Sequence, residues 1–145
     1  MKQNDQWLKE NNAIQLLVDK YGAIDTHAQA SLGYDVILDG KYLDIKVSNS
    51  QKLTVLKKLG KGPRAGTTYC PLLEHQEVDY LYMIDKSDYY MAFMLKKMDI
   101  CNYIIVNAEK LQWSHYNGDG NENLNVKLSF SDFDLIAYES RNFNK

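Results

Sequence analysis

Apolar and polar side chains alternate along residues 34–47 on both sides of an Asp39-Gly40 pair. Val36 and Leu38 precede the pair and Leu43, Ile45 and Val47 follow it, while Asp35, Ile37, Tyr42, Asp44 and Lys46 fill the positions between. Period two predicts strands, and Asp-Gly between two such runs predicts a two-residue type I′ turn, which needs φ > 0 at both central residues. Upstream, Trp7, Ile14, Leu17, Val18 and Tyr21 recur at helical spacing, with Asn4 or Asp5 to cap the start and Gly22 to stop the helix. A short strand is predicted over 23–30, one or two helical turns over 54–59 ending at Gly60, and a loop over 61–66. Residues 78–84 and 89–95 flank Asp85-Lys86-Ser87-Asp88 as a second hairpin, and residues 103–106 read as a strand. Asn107 caps a short turn, residues 117–123 form a loop, 124–130 a strand, and Ser131 caps a terminal helix. This succession predicts one α/β domain over 1–145 with a mixed central sheet flanked by helices.

If Asp39 and Gly40 are the loop, Leu38 lies opposite Lys41 and, counting outward, Asp35 lies opposite Asp44. Residues facing each other in this way have Cβ atoms about 4.5–5.5 Å apart. Lys46 falls two residues beyond Asp44 on the same face, and the apolar set occupies the other face. Acids and lysines are ordinary on a solvated hairpin. Two carboxylates in direct opposition are not, because like charges destabilise a sheet unless a cation sits between them, and a divalent metal suits that position.

Net charge is −2 and the pI is about 5.9, an average that hides a segregated distribution. From Ile45 to Leu73 there is no acidic residue, while Lys46, Lys52, Lys57, Lys58, Lys61 and Arg64 all fall there. Lys52, Lys57, Lys58, Lys61 and Arg64, with glycine and proline among them, form a candidate arm for a phosphate backbone, largely indifferent to sequence. No element reads as a recognition helix for the major groove. The two cysteines, Cys70 and Cys101, have no paired spacing, which argues against a disulfide framework or a zinc site. His27, His75 and His115 are scattered; His27 is the one that the strand over 23–30 places beside the carboxylates. The run 119–123 lacks the offsets of a calcium loop, and Tyr80, Tyr82, Tyr89 and Tyr90 read as strand packing. No transmembrane stretch or signal-peptide core is seen, so a cytoplasmic protein without membrane contact is expected.

Asp35, followed on the next strand by Asp44-Ile45-Lys46, resembles the signature of the PD-(D/E)XK nuclease superfamily, with Tyr34 where many members carry proline. The helix over 7–21 resembles the superfamily's first helix, and Glu10, twelve residues before Gly22, is similar to the helix-borne glutamate of small Holliday-junction resolvases. Residues 77–84 look like the strand after the catalytic hairpin in intron-encoded and restriction-type members, so the resemblance covers about the first two-thirds of the chain. It implies a restriction-endonuclease-like fold and a magnesium-dependent DNA endonuclease in which manganese substitutes. Asp35 and Asp44 would hold the metal with the Ile45 carbonyl as a third ligand and Glu10 completing the site directly or through water. Lys46 would orient the attacking water and stabilise the transition state. One such site cuts one strand, so double-strand cleavage or junction resolution implies a homodimer or higher homo-oligomer. Two other expectations stand beside this one: a catalytically silent DNA-binding or protein-interaction module on the same fold, and an unrelated small α/β protein whose hairpin mimics the motif.

Overall fold

A computed structural model describes residues 2–26, 33–118 and 120–145. Helix α1 (Lys2–Tyr21) leads into β1 (Ile24–Asp25), β2 (Val36–Leu38) and β3 (Lys41–Val47). The chain then leaves this sheet for β4 (Ser50–Lys58) and β5 (Thr68–Tyr69), turns through a 3₁₀ segment at Pro71–Leu73, and returns as β6 (Asp79–Asp85) and β7 (Tyr89–Leu95). Helix α2 (Lys97–Val106), strands β8 (Gln112–Gly118) and β9 (Asn121–Ser129), helix α3 (Phe130–Ile136) and strand β10 (Glu139–Asn144) complete it. The protein is mixed α/β. Its larger sheet has the order β1-β2-β3-β6-β7-β10, parallel only between β3 and β6, and a second, antiparallel sheet has the order β5-β4-β9-β8. None of the described helices is long and apolar enough to cross a membrane.

The larger sheet is buried on both faces. On one, Ala13, Ile14 and Leu17 of α1 pack against Val36, Leu43, Ile45 and Val47, the apolar set expected from the hairpin's alternation. On the other, Tyr80, Tyr82, Phe93 and Leu95 meet Ile100 and Ile104 of α2, Phe133 of α3, and Leu53, Val126 and Leu128 of the second sheet. Each buried aliphatic or aromatic side chain contributes about 1.5–3 kcal/mol relative to exposure.

Four segments differ from expectation. Residues 54–58 belong to a strand, because β4 pairs with β9 from Ser50↔Ser129 to Lys58↔Glu122, and this long-range ladder decides between helix and strand for an ambiguous run. Residues 103–106 close helix α2, whose Ile100, Cys101 and Ile104 form a helical stripe against the core while Ile105 and Val106 face outward. The C-terminal helix starts two residues earlier than expected: Ser129 is its N-cap, with its N–H donating to Asp132 Oδ2 at 2.8 Å, and strand β10 follows it. Residues 117–118 and 121–123 lie in the β8–β9 ladder, not in an open loop. Of the strand expected over 23–30, β1 is what the described residues contain; His27 lies outside them.

Candidate active site

The hairpin supplies the site's scaffold. Asp39 and Gly40 have φ of 51° and 76°, as a type I′ turn requires, and the pairs Val36↔Leu43, Ile37↔Tyr42 and Leu38↔Lys41 follow the expected register. Pairing continues past β2, where the Asp35 N–H donates to the Leu43 carbonyl at 2.8 Å. The Asp35 side chain turns to the neighbouring strand and its Oδ2 accepts the Ile45 N–H at 2.8 Å. Asp35 thereby lies within hydrogen-bonding reach of Asp44. An extended residue carries its N–H and C=O toward the same strand edge, so the Ile45 carbonyl points along the edge that Asp35 occupies.

Asp44 shares its face with Lys46 and, across the parallel pairing, with Tyr80 and Tyr82. Burial pushes its carboxyl up to about 6, partly offset by the Lys46 ammonium; the Asp35 charge and hydrogen bond raise it further and Lys97 lowers it. Below about pH 6 the pair thus favours a proton where two negative charges would otherwise meet. Lys46 Nζ lies 3.7 Å from Asp44 Oδ1 and 6.0 Å from the Tyr80 ring centroid. Burial, with the Asp44 charge second, raises the Tyr80 phenol above its usual range, so it remains a neutral wall.

Lys97, which sequence reasoning passed over, is the other cation here. It is buried at the start of α2, with Nζ donating to the Glu74 carbonyl at 3.3 Å and lying 5.7 Å from the Tyr80 centroid. Burial lowers its pKa, and the Asp44 charge is the largest influence in the opposite direction. The neighbouring Lys96 goes to the opposite face of the sheet, where its Nζ meets Asp79 Oδ2 at 3.1 Å and Tyr138 donates to the same oxygen at 2.6 Å. This anchor fixes the entry into α2 and leaves Lys97 facing Asp44. A signal was present in the sequence: two lysines at a helix N-terminus oppose the helix dipole, an arrangement that needs local compensation.

Glu10 is not gathered with the two aspartates. Gln6 Nε2 donates to Glu10 Oε1 at 3.1 Å and to the Val47 carbonyl at 3.0 Å, tying α1 to the end of β3 on the face opposite Asp44. Among the described residues, no group of three or more histidine, cysteine, aspartate or glutamate side chains is placed to hold a metal ion. Glu10→Gln is therefore expected to change any metal-dependent activity by less than about tenfold. Lys97→Met removes a charge that holds the Asp44 carboxyl down, so the pH midpoint for metal binding should move above that of the wild type. A metal titration at several pH values checks both; an unmoved midpoint would mean that Lys97 acts only in packing.

The basic residues separate into distinct places. Lys52 and Lys57 lie on one face of the second sheet, Lys58 on the other, and Lys61 and Arg64 in the connection to β5, with the Arg64 guanidinium 5.7 Å from the Tyr69 ring centroid. His75 Nδ1 is 3.7 Å from Glu77, and His115 pairs with Leu124 on β9. Gly33, just before the site, has φ of 77° and no room for a side chain, since a Cβ would come within 2.9 Å of the His75 ring. Comparisons of this chain with protein-family models, with curated proteins and with solved structures find no match.

Proposed function

We propose that the protein is a metal-dependent deoxyribonuclease that hydrolyses phosphodiester bonds, acting as an endonuclease on a restriction-endonuclease-like fold. The observation that carries it is the meeting of Asp35 and Asp44 with Lys46 beside them on one face of a type I′ hairpin. Burial and the neighbouring Asp35 charge hold the half-buried Asp44 carboxyl up at about 6, so near neutral pH two negative charges meet, and a hard cation would offset that repulsion. The donor chemistry fits Mg²⁺, with Mn²⁺ as substitute: two carboxylates and the Ile45 carbonyl are oxygen ligands, and Mg²⁺ takes few protein ligands while keeping waters and phosphate oxygens.

When bound, the ion would neutralise charge on the phosphoryl group and activate water for in-line attack. The chain's own residues do the rest. Asp35 and Asp44 hold the site's negative charge in a fixed place, Asp35 being oriented by the Ile45 N–H. Lys46 and Lys97 offer ammonium groups to a scissile phosphate and to the charge that builds in the transition state. Tyr80 and the core beneath it exclude water from below, which strengthens both interactions.

A second proposal, the catalytically silent DNA-binding module, is favoured by one observation, the confinement of Glu10 to the α1 face. Incubating the purified protein with supercoiled and linear DNA, in Mg²⁺ and in EDTA, separates the two. Nicking or linearisation that EDTA abolishes supports the nuclease. DNA retained but intact at every Mg²⁺ concentration removes it. Double-strand cuts would further require a homodimer, which sedimentation on DNA would reveal.

A further inference from the structure

The outer face of the second sheet carries an order that the linear charge pattern does not show. Reading across the ladders, Tyr69, Lys57, Asn123 and Tyr116 form one row over β5, β4, β9 and β8. Thr54, Asn125 and Ser114 form the next row, and Lys52, Lys127 and Gln112 the third. The alternate residues Leu53, Val126 and Leu128 are buried in the core, so these three rows face outward. Neighbouring strands are about 4.8 Å apart and alternate residues about 6.6 Å apart, so the face spans about 14 Å in each direction.

Three features of this face point to a ligand. Lys52 and Lys127 stand directly opposite each other, although like charges in that relation destabilise a sheet. Lysines are commonly placed on edge strands to block aggregation, but Lys127 is paired on both sides, with Lys52 and with Gln112, so that purpose does not account for it. Tyr116 is 57 % exposed at one end of the first row, and Tyr69 lies at the other under the Arg64 guanidinium. Between the charges lie amides and hydroxyls, and none of the three rows contains an acid. Asp132, which lines a cavity with Lys127 beyond the third row, has its carboxylate occupied by the Ser129 N–H and the Tyr103 hydroxyl.

We propose that this face is a binding platform for single-stranded DNA, with Lys52, Lys57 and Lys127 on phosphates and a base stacked on Tyr116. Cations matched to a polyanion and exposed aromatic rings matched to unpaired bases are the two elements of such a surface. A duplex would engage the lysines but offer no base face to Tyr116. The platform differs from a basic arm along the chain: it recruits Lys127 from β9 and Tyr116 from β8, and leaves Lys58 on the opposite face. The choice of DNA over RNA rests on the nuclease proposal; the geometry of the platform does not.

Binding of a labelled oligodeoxynucleotide, its duplex and the matching oligoribonucleotide, measured in EDTA across a salt series, tests this without cleavage. Replacing Lys52, Lys57 and Lys127 together with glutamine should flatten the slope of log K against log salt by about 2, at about 0.7 for each contact with a single strand. Tyr116→Ala should weaken single-strand binding about tenfold and leave duplex binding unchanged, and Tyr116→Phe should restore it. An unchanged slope, no binding by the wild type, or equal loss on duplex and single strand after Tyr116→Ala would overturn the platform. A preference for the RNA would overturn its assignment to DNA. Protein that binds through this face yet never cuts DNA in Mg²⁺ would lose the nuclease proposal and keep the platform.

Discussion

Asp44→Asn and Lys46→Ala are each expected to lower Mg²⁺-dependent DNA cleavage by about 10²–10³-fold or more while leaving the fold intact. Asp44 and Lys46 lie half-buried on the Tyr80 face of β3, while Leu43, Ile45 and Val47 on the other face form the apolar core, so neither substitution opens a cavity among those apolar side chains. Asparagine keeps the shape of Asp44 and removes the charge that would replace a proton with a cation. Alanine at Lys46 removes the ammonium 3.7 Å from Asp44 Oδ1 and nothing that the core depends on. Cleavage rates at saturating DNA, set beside circular dichroism of each variant, decide the matter. Wild-type rates from the Lys46→Ala protein would eliminate the mechanism.

Stability of the metal-free protein is expected to fall as pH rises through the range in which Asp44 ionises. Its carboxyl is raised from 3.8 to about 6 in the folded state, so between those values the native state binds the proton that the unfolded chain has released. The stabilising contribution is complete below the unfolded value and is lost as pH climbs through the folded one, an effect of roughly 2–3 kcal/mol. Asp44→Asn should abolish this loss. Asp35→Asn should shrink it, because the neighbouring charge and hydrogen bond are part of its cause. Above pH 6, Mg²⁺ or Mn²⁺ at 100 times its dissociation constant should return about 2.7 kcal/mol to the wild type, and little to either variant. Thermal melts over pH and metal concentration would measure both. If all three proteins share one pH profile and one metal-induced shift, the aspartates do not surround a cation.

The hairpin was legible in the sequence because its determinants are local. Asp39-Gly40 supplies the turn, and the alternation of Val36, Leu38, Leu43, Ile45 and Val47 fixes which face is buried; together they set the register that brings Asp35 to Asp44. The strand character of 54–58 was not legible, since its partner β9 lies far along the chain and nothing within the run reports the pairing. Tyr103-Ile104-Ile105-Val106 misled for a related reason: four apolar residues in a row have no period, and the helix shows itself only when Ile100 and Cys101 are included. Lys97 comes within electrostatic range of Asp44 because α2 packs against Tyr80 and Tyr82 of β6, a proximity that no spacing encodes. Glu10 lay on a real helix, but which end of the hairpin, and which face, that helix would cover depends on the tertiary packing of α1.

The excursion of the chain through β4 and β5 between β3 and β6 has a consequence for how the molecule is made. Strand β4 waits for β9, which ends at Ser129, so the second sheet cannot close until the chain through Ser129 has left the ribosome. The parallel β3–β6 pair, which sets Asp44 against Tyr80, must meanwhile close a long loop whose entropy is lost before its contacts form. Synthesis interrupted after β7 would release a chain with Leu53 and Val55 on a strand that lacks its β9 partner, a substrate for aggregation or proteolysis.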